Sequence, residues 1–275
     1  MKGYYMKITA SIVTYNNNYE ELNKAMVSLL YINNLKKIYI SDNSYNENIK
    51  SWFNDERIIY FHNRKNIGFG AAHNIAIKKA IDYNSDYHIV ANPDVYFNKG
   101  NVEKIINYME NNIDIGLSMP KILYPDGQIQ YVCKLLPTPF DLFIRVLLNK
   151  YNLKMFKKHN EIFEMRFTKY DHVINVPYIS GCFMIFRTKV LKEIGFFDEN
   201  IFMYLEDADI TRRILRKYKT IMIPEAFVYH KWNKGTYKSF KLKLITIKSA
   251  IYYFNKYGWF IDKERKYINE RIKNE

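Results

Sequence analysis

Short apolar runs alternate with amphipathic segments through the first part of the chain. Runs of consecutive apolar residues predict buried strands, and apolar residues that recur at helical spacing predict helices with one face turned inward. The predicted strands are 8–15, 37–41, 58–61 and 88–91, and the predicted helices are 19–30, 71–81 and 102–109. This alternation predicts an α/β fold with a mostly parallel central sheet that is flanked by helices.

The pattern is less regular between Tyr124 and Pro177, where Pro125–Gly127 predicts a turn and the later residues are charged and irregular. The remaining predicted elements are a short helix over 140–151, a strand over 177–187, a helical turn over 189–194, a helix over 207–218 and a strand over 226–229. We therefore predict one domain over 1–235, in which 124–177 is an insert that shapes acceptor specificity. A C-terminal helical segment over 236–275 follows it.

The C-terminal segment mixes lysines with large apolar residues between Ser239 and Lys256. Their spacing, seen at Phe240, Leu244 and Ile247, predicts an amphipathic helix. Such a helix can pack on the preceding domain, or it can lie on a membrane with its lysines near anionic headgroups. The sequence leaves both interpretations open.

Composition favours anionic partners. The chain has 275 residues, 48% of them hydrophobic, and Lys plus Arg exceed Asp plus Glu by 42 to 28, which gives a formal net charge of +14. A basic protein of this kind attracts nucleotide phosphates, nucleic acid or anionic lipid. The sequence contains no helix-turn-helix, zinc-binding or RNA-recognition motif, so nucleic acid is not an expected partner.

The two cysteines and the hydropathy of the chain indicate the cellular compartment. Cys133 and Cys182 form no C-x-x-C pair, which excludes a zinc site made of thiolates and fits a reducing cytoplasm. No apolar stretch reaches the roughly 18 residues that span a bilayer, and the N-terminus lacks the apolar region of a signal peptide. We expect a cytoplasmic protein, with peripheral contact at the inner face of the plasma membrane as a further expectation.

Polar residues follow several of the predicted strands. Tyr15, Asp42 and Asp94 each stand at the carboxyl end of a strand, where ligands bind in α/β sheets, and this position places them around one cleft. In Asn92-Pro93-Asp94, the carboxylate is a hard oxygen ligand suited to Mg²⁺ or Mn²⁺. The alternative is a turn that Pro93 shapes and Asp94 caps.

A second acidic group, Glu206-Asp207-Ala208-Asp209, begins the helix predicted near 207. Acids in a first helical turn stabilise the helix dipole. The apolar residues before them favour another role, because a partly desolvated carboxylate is a better general base than one on the surface. His230, at the end of the last strand, is either a metal or phosphate ligand or a polar strand terminus.

A glycine-rich turn, Asn66–Asn74, enters the helix at 71–81. Its backbone amides could face an anion at the helix N-terminus. An ordinary loop and helix start explains the same residues, since His73 replaces the third glycine of the dinucleotide-binding fingerprint.

The ordered set of these motifs resembles the family 2 glycosyltransferases, and most of all the rhamnosyltransferase-like enzymes of bacterial cell-surface polysaccharide assembly. The resemblance covers roughly Lys7 to Trp232. Its motifs are Val13-Thr14-Tyr15-Asn16, Asp42-Asn43-Ser44, Asn66-x-Gly68-x-Gly70-x-Ala72-x-Asn74, Asn92-Pro93-Asp94, Gly181-Cys182-Phe183-Met184, Gly195-Phe196-Phe197-Asp198-Glu199 and Tyr204-x-Glu206-Asp207-x-Asp209-x-x-x-Arg213.

The resemblance implies a GT-A fold and an inverting transfer from a nucleotide-diphosphate sugar. The implied donor is dTDP-rhamnose, with a UDP-hexose as the alternative, and the implied acceptor is a growing glycan or a polyprenyl-diphosphate lipid. By resemblance, the nucleoside would contact Thr14, Tyr15, Asn16 and Asp42, and the donor pocket would include Asn66, Gly68, Asn74 and Asn92. Asp94 would hold a divalent metal, Mg²⁺ or Mn²⁺, His230 would support the metal or the diphosphate, and Asp207 would be the general base.

One departure from the family pattern concerns the metal. Asn92 stands where the usual D-x-D motif has its first acid, which leaves strict metal dependence open. Two alternatives belong to other classes: a basic nucleic-acid-binding protein and a catalytically inactive sugar-nucleotide binder.

Overall fold

The computed structural model describes residues 6–144, 154–232 and 239–275. The strands are β1 Ile8–Thr14, β2 Leu35–Asp42, β3 Ile58–His62, β4 Tyr87–Ala91, β5 Val95–Tyr96, β6 Ile115–Leu123, β7 Ile174–Asn175, β8 Phe183–Arg187 and β9 Lys219–His230. The helices are α1 Tyr19–Leu30, α2 Phe69–Asp82, α3 Asn101–Glu110, α4 Pro139–Phe143, α5 Lys154–Phe163, α6 Thr188–Ile194, α7 Glu206–Ile214, α8 Phe240–Tyr257 and α9 Lys263–Lys273, with a short 3₁₀ turn at Arg166–Thr168.

One sheet runs through the molecule in the order β3-β2-β1-β4-β8-β6-β9-β5, and β7 pairs with β9. The strands β3, β2, β1 and β4 are parallel. β8 enters between β4 and β6 antiparallel to both, whereas β6 and β9 run parallel to each other. The predicted α/β class is confirmed, and its sheet is mixed because β8 returns in the opposite direction after the insert.

The observed strands differ from the predicted ones in several places: β5, β6 and β7 were not predicted, and β9 begins at Lys219 rather than at Ala226. The predicted strand over 177–187 forms only at Phe183–Arg187, because the residues just before it leave the sheet. β6 was not predicted, since its Pro120 cannot donate to a strand ladder. The β6–β9 register shifts between Pro120 and Lys121, which accommodates the missing donor.

The helix predicted over 140–151 is seen as α4, and its later residues, from 145 on, lie outside the described part of the chain. α4 begins with a capping box in which Thr138 and Asp141 each bond the other's backbone amide. Pro139 occupies the first helical turn, where a missing N–H is tolerated.

A buried polar cluster fixes α2 on the sheet. The Ser11 hydroxyl contacts His73 Nδ1 at 2.8 Å and His88 Nε2 at 2.9 Å, and all three residues are fully buried. Burial lowers the pKa of His88 to about 3 and also lowers the pKa of His73 well below its usual range. Both histidines are therefore neutral. His73, which stands where the dinucleotide-binding fingerprint has its third glycine, helps to hold α2 on the sheet.

The C-terminal segment packs on α7 through buried charges. Arg212 forms a bidentate pair with Asp262, at 2.7 and 2.6 Å, and also contacts Glu264. Asp209 accepts from Lys256 and Tyr257, each at 2.7 Å. Within 6–144, 154–232 and 239–275, no helix has the length and apolar character needed to cross a membrane.

Candidate active site

A large cleft of about 1880 Å³ opens at the carboxyl ends of β1 and β4 and extends toward the insert and α8. This edge is where the polar strand ends were expected to meet. Of the residues predicted for the site, the cleft is lined by Tyr15, Asn66, Gly68, Asn92, Asp94, Asp207 and His230.

Strand pairing brings Asp94 to His230. Asp94 ends the turn between β4 and β5, and the next residue, Val95, pairs with His230 at the end of β9. The backbone N–H of Lys231 also donates to the carbonyl of Asp94 at 3.2 Å. As a result, His230 Nε2 lies 3.4 Å from Asp94 Oδ1.

Gln130 determines which nitrogen of His230 faces Asp94. The Gln130 amide N–H₂ donates to the His230 carbonyl, so its Oε1 is the atom 3.0 Å from Nδ1. An amide oxygen can only accept, so Nδ1 carries a proton and Nε2 points to the carboxylate. The sequence motifs did not identify Gln130, because only the fold places it beside His230.

The charge state of His230 depends on its neighbours. Burial alone would lower its pKa, but hydrogen bonds to Asp94 and Cys182 outweigh burial and raise the pKa to about 10. The side chains at this point favour a positive charge beside Asp94. The proton on His230 supplies it, and a metal held by Nε2 would take the place of that proton, because only a neutral imidazole nitrogen ligates a metal.

The side chains here could ligate a hard divalent cation that also binds the phosphates of a nucleotide. In the described ranges, no group of three or more His, Cys, Asp and Glu side chains is arranged to hold a metal by itself. Asp94 and His230 nevertheless present one carboxylate and one imidazole to the same side of the cleft. Mg²⁺ and Mn²⁺ bound to phosphates commonly take one or two protein ligands, so these two residues fit such a site.

Asp207 lies in the first turn of α7, on another wall of the cleft. Its Oδ2 accepts from the backbone N–H of Gly181 at 2.9 Å, and its Oδ1 accepts from Ala208 at 3.0 Å. Two backbone donors suit a charged carboxylate, which retains further acceptor capacity. Asp207 is thus placed to accept a proton from a hydroxyl in the cleft.

The turn before Asp207 has an unusual backbone. Tyr204 and Leu205 both have φ near 70°, a left-handed conformation that bulky residues rarely adopt. Two contacts hold this turn: Phe69 N–H donates to Phe202 O at 2.9 Å, and the Ser249 hydroxyl of α8 donates to Met203 O at 2.7 Å. Strained backbone of this kind clusters at functional sites, where surrounding contacts maintain it.

Glu206 is a second carboxyl group beside Asp207, and sequence reasoning gave it no role. It is buried and lines the cleft, and its Oε2 finds no hydrogen-bond partner within the described residues. Burial raises the pKa of Glu206 well above its ordinary value of 4.5, and the charge of Asp207 raises it further. Burial thus favours the protonated form of Glu206.

The glycine-rich turn is packed against the loop that leads to Asp207. Gly68 has φ of 94°, and a Cβ at this position would lie 2.3 Å from the Phe202 carbonyl oxygen, so only glycine fits. The amides of Gly68 and Phe69 already donate to Asn66 Oδ1 and Phe202 O. Two of the amides expected to face an anion are therefore used within the protein.

Four predicted site residues are not part of the cleft lining. Asp42 is fully buried and accepts from the hydroxyls of Thr14 and Tyr60, at 3.0 and 2.7 Å. The amide N–H of Asn16, in the loop after β1, donates to Ser44 Oγ. Direct nucleoside contact by Thr14, Asn16 and Asp42 stays a prediction, and in this structure they support the loops behind Tyr15.

Asn74 is the fourth predicted residue that does not line the cleft. Its side chain donates to Phe197 O and Glu199 Oε1 and accepts from Phe197 N–H, which ties α2 to the loop after α6. Sequence spacing does not reveal these bonds to a distant loop, and contact of Asn74 with the donor stays a prediction.

Comparison with known proteins identifies the family. The profile described as Glycosyl transferase family 2 matches residues 9–195, more than half of the chain. The chain belongs to glycosyl transferase family 2. The match includes Asp94 and ends before Asp207 and His230.

Two curated proteins that resemble this chain are named as glycosyltransferases. The hexosyltransferase Agl10 of low-salt glycan biosynthesis in Haloferax volcanii is 24% identical over 208 residues, 75% of this chain and 62% of that protein. The N-acetylglucosaminyl-diphospho-decaprenol L-rhamnosyltransferase of Mycobacterium tuberculosis is 25% identical over 180 residues, 60% of this chain and 56% of that protein. The matched region thus spans about three fifths of the length of these relatives.

A solved structure shows the same architecture. The mannosyltransferase PcManGT from Pyrobaculum calidifontis, in complex with GDP-Man and Mn²⁺, matches with a TM-score of 0.60 at 13% identity, over 92% of this chain and 65% of that one. At this identity the likeness shows the fold alone. The predicted GT-A fold is confirmed.

Proposed function

We propose that this family 2 glycosyltransferase inverts the configuration of the sugar it transfers, with Asp207 as the base and Asp94 and His230 as ligands of a divalent metal. The observation that carries the proposal is that Asp207 and the Asp94–His230 pair line the same cleft although they come from different elements. A single displacement needs a base on the acceptor hydroxyl and charge compensation on the leaving group.

The residues divide this work between them. Asp207, oriented by the amides of Gly181 and Ala208, accepts the proton of the acceptor hydroxyl as its oxygen attacks the sugar. Asp94 and His230 would hold Mg²⁺ or Mn²⁺, which when bound offsets the charge that develops on the leaving nucleoside diphosphate.

For the donor, we propose dTDP-rhamnose, with a UDP-hexose as the alternative. The M. tuberculosis relative supports rhamnose by its name, and the H. volcanii relative supports a hexose by its name. Tyr15 lines the cleft with 45% of its surface exposed, so its ring is available to contact a nucleoside.

For the acceptor, we propose a glycan that is linked to a lipid through a diphosphate. The name of the M. tuberculosis relative, which includes a diphospho-decaprenol, supports this class. Residues of the insert and of α8 also line the cleft, including Tyr131, Lys157 and Lys248. Aromatic rings and cations there suit sugar rings and phosphates.

The proposal is tested by measuring thermal unfolding of the protein with a panel of nucleotide sugars, each with Mn²⁺, Mg²⁺ or a chelator. A bound donor stabilises the native state, so the correct donor should raise the unfolding temperature, and the increase should require the metal. No stabilisation by any nucleotide sugar would refute the proposal. Slow metal-dependent donor hydrolysis would exclude the inactive sugar-nucleotide binder.

A further inference from the structure

Helix α8 has two opposite faces with different surroundings. One face belongs to the catalytic domain: Leu242 and Ile245 line the cleft, Ser249 supports the turn before Asp207, and Tyr253 is fully buried. The segment therefore packs on the domain, one of the two roles that the sequence left open. The other face remains to be explained.

The outward face of α8 is an exposed apolar stripe. Phe240, Leu244, Ile247 and Ile251 recur at spacings of four, three and four, which places them on one side of a helix. Each is substantially exposed, with Phe240 at 76%. Directly after the helix, Phe260 and Ile261 are each 85% exposed, which extends the apolar surface beyond the end of α8. We call these six residues the apolar stripe.

The charges beside the apolar stripe have a single sign. From Ser239 to Ile261 the chain has no Asp or Glu, and its lysines are Lys241, Lys243, Lys248 and Lys256. Lys256 is used inside the protein, where it bonds Asp198 and Asp209. The other three flank the stripe, and Lys241 and Lys248 also line the cleft. An apolar stripe bordered by lysines matches the chemistry of an anionic lipid surface.

A second copy of the chain matches this surface less well. Two such stripes facing each other would bring the flanking lysines of both helices together without an acid from either helix to pair with them. Like charges that meet at an interface disfavour association. A bilayer containing anionic headgroups satisfies both the apolar residues and the lysines.

We propose that the apolar stripe docks the protein on an anionic lipid bilayer, with α8 lying in the plane of the interface. Because the opposite face of α8 is a wall of the cleft, docking sets the acceptor half of the cleft at the membrane surface. Resting on the proposed function, this geometry explains how a lipid-linked acceptor reaches Asp207 without leaving the bilayer.

The test is flotation of the protein with vesicles of phosphatidylglycerol and phosphatidylcholine, and with vesicles of phosphatidylcholine alone. We expect the wild type to bind the anionic vesicles preferentially, and Ile247→Glu to weaken that binding by about tenfold or more, because it removes an apolar contact and adds a repelled charge. The matched control is Ile113→Glu, which makes the same chemical change. Ile113 is 74% exposed and precedes β6, at the end of the sheet opposite the carboxyl ends of β1 and β4. This control should bind as the wild type does.

A double variant, Phe260→Ser with Ile261→Ser, keeps the test decisive if Ile247→Glu unfolds the helix, since both side chains are almost fully exposed. It should also lose vesicle binding, with an unchanged unfolding temperature. Equal losses in Ile247→Glu and Ile113→Glu would show attraction by net charge only and would overturn the proposal. A wild-type dimer in lipid-free light scattering that Ile247→Glu dissociates would also overturn it, because a second copy would then cover the stripe.

Vesicle binding is measured without donor or acceptor, so its outcome does not depend on glycosyl transfer. Ile247 does not line the cleft, and Ile247→Glu should transfer sugar to a water-soluble acceptor at the wild-type rate. Loss of docking with intact transfer supports the inference, whereas intact docking in an inactive protein would refute the proposed function alone.

Discussion

The two sides of the cleft are built by different means. On one side, Asp94 and His230 meet because β5 and β9 pair, so the sheet itself determines their separation. On the other side, Asp207 sits at the start of a helix that is held by ion pairs with the C-terminal segment, after a turn with a left-handed backbone. The family profile includes Asp94 and ends at residue 195. The side with Asp94 and His230 therefore depends on strand register, whereas the side with Asp207 depends on ion pairs with the C-terminal segment.

The strongest test of this contrast removes the contact between α7 and the C-terminal segment. Arg212→Met removes the bidentate partner of the buried Asp262, which among the described residues then keeps only Arg265, at 3.9 Å, as a cationic partner. We expect a loss of about 3 kcal/mol in the free energy of unfolding. Chemical denaturation measures it. The control is Arg216→Met: this arginine pairs with the same Glu264 but is about half exposed, and its loss should cost about 1 kcal/mol or less. Equal losses in the two variants would show that burial of the pair is unimportant.

A second test acts on the base alone. Asp207→Asn keeps the shape of the side chain but removes the proton acceptor, and we expect turnover to fall by roughly 100-fold or more while donor binding persists. Steady-state kinetics and donor titration measure the two quantities. Asp114→Asn, at the exposed start of β6, is the control and should leave turnover unchanged. Near-normal turnover of Asp207→Asn would refute its assignment as the base.

The leaving-group side is tested by Asp94→Ala. We expect this change to abolish the Mn²⁺-dependent part of donor binding, because His230 alone is a poor site for a hard cation. Calorimetry with and without Mn²⁺ measures it, with Asp126→Ala in the exposed turn as the control. Donor affinity that responds to Mn²⁺ equally in the wild type and in Asp94→Ala would place the metal elsewhere.

The smallest expected effect concerns Glu206. Its pKa is higher in the folded protein than in the unfolded chain, so the native state holds one more proton as the pH rises above about 4.5. The stability contributed by this group therefore decreases with rising pH. Glu206→Gln removes that dependence, so its stability relative to the wild type should be greater at pH 8 than at pH 5. Parallel unfolding temperatures of the two proteins across this range would contradict a buried, protonated Glu206.

The sequence predicted the strands correctly where the pattern of apolar residues reflects burial. The strands β1 to β4 are apolar runs because both faces of a parallel sheet are covered, and the polar residues after them do gather at one edge. It failed for β5 and β7, which are only two residues long, and for β6, where Pro120 interrupts the signal. The acidic residues around Asp207 also have different roles that their spacing in the sequence does not predict. Asp207 lines the cleft, whereas Asp209 binds Lys256 and Tyr257.

The α/β class, the family and the residue types of the cleft could be predicted from the sequence, because hydrophobic periodicity and motif order are local properties of the chain. Which of those polar groups are available to a ligand depends on the folded arrangement. Asn74 and Asp42 are occupied by partners, His230 is oriented by Gln130, and Oε2 of Glu206 is buried without a hydrogen-bond partner among the described residues. Hydrogen bonding and desolvation are set by neighbours that lie far away in the sequence, so the protonation and accessibility of each group arise only when the chain is folded.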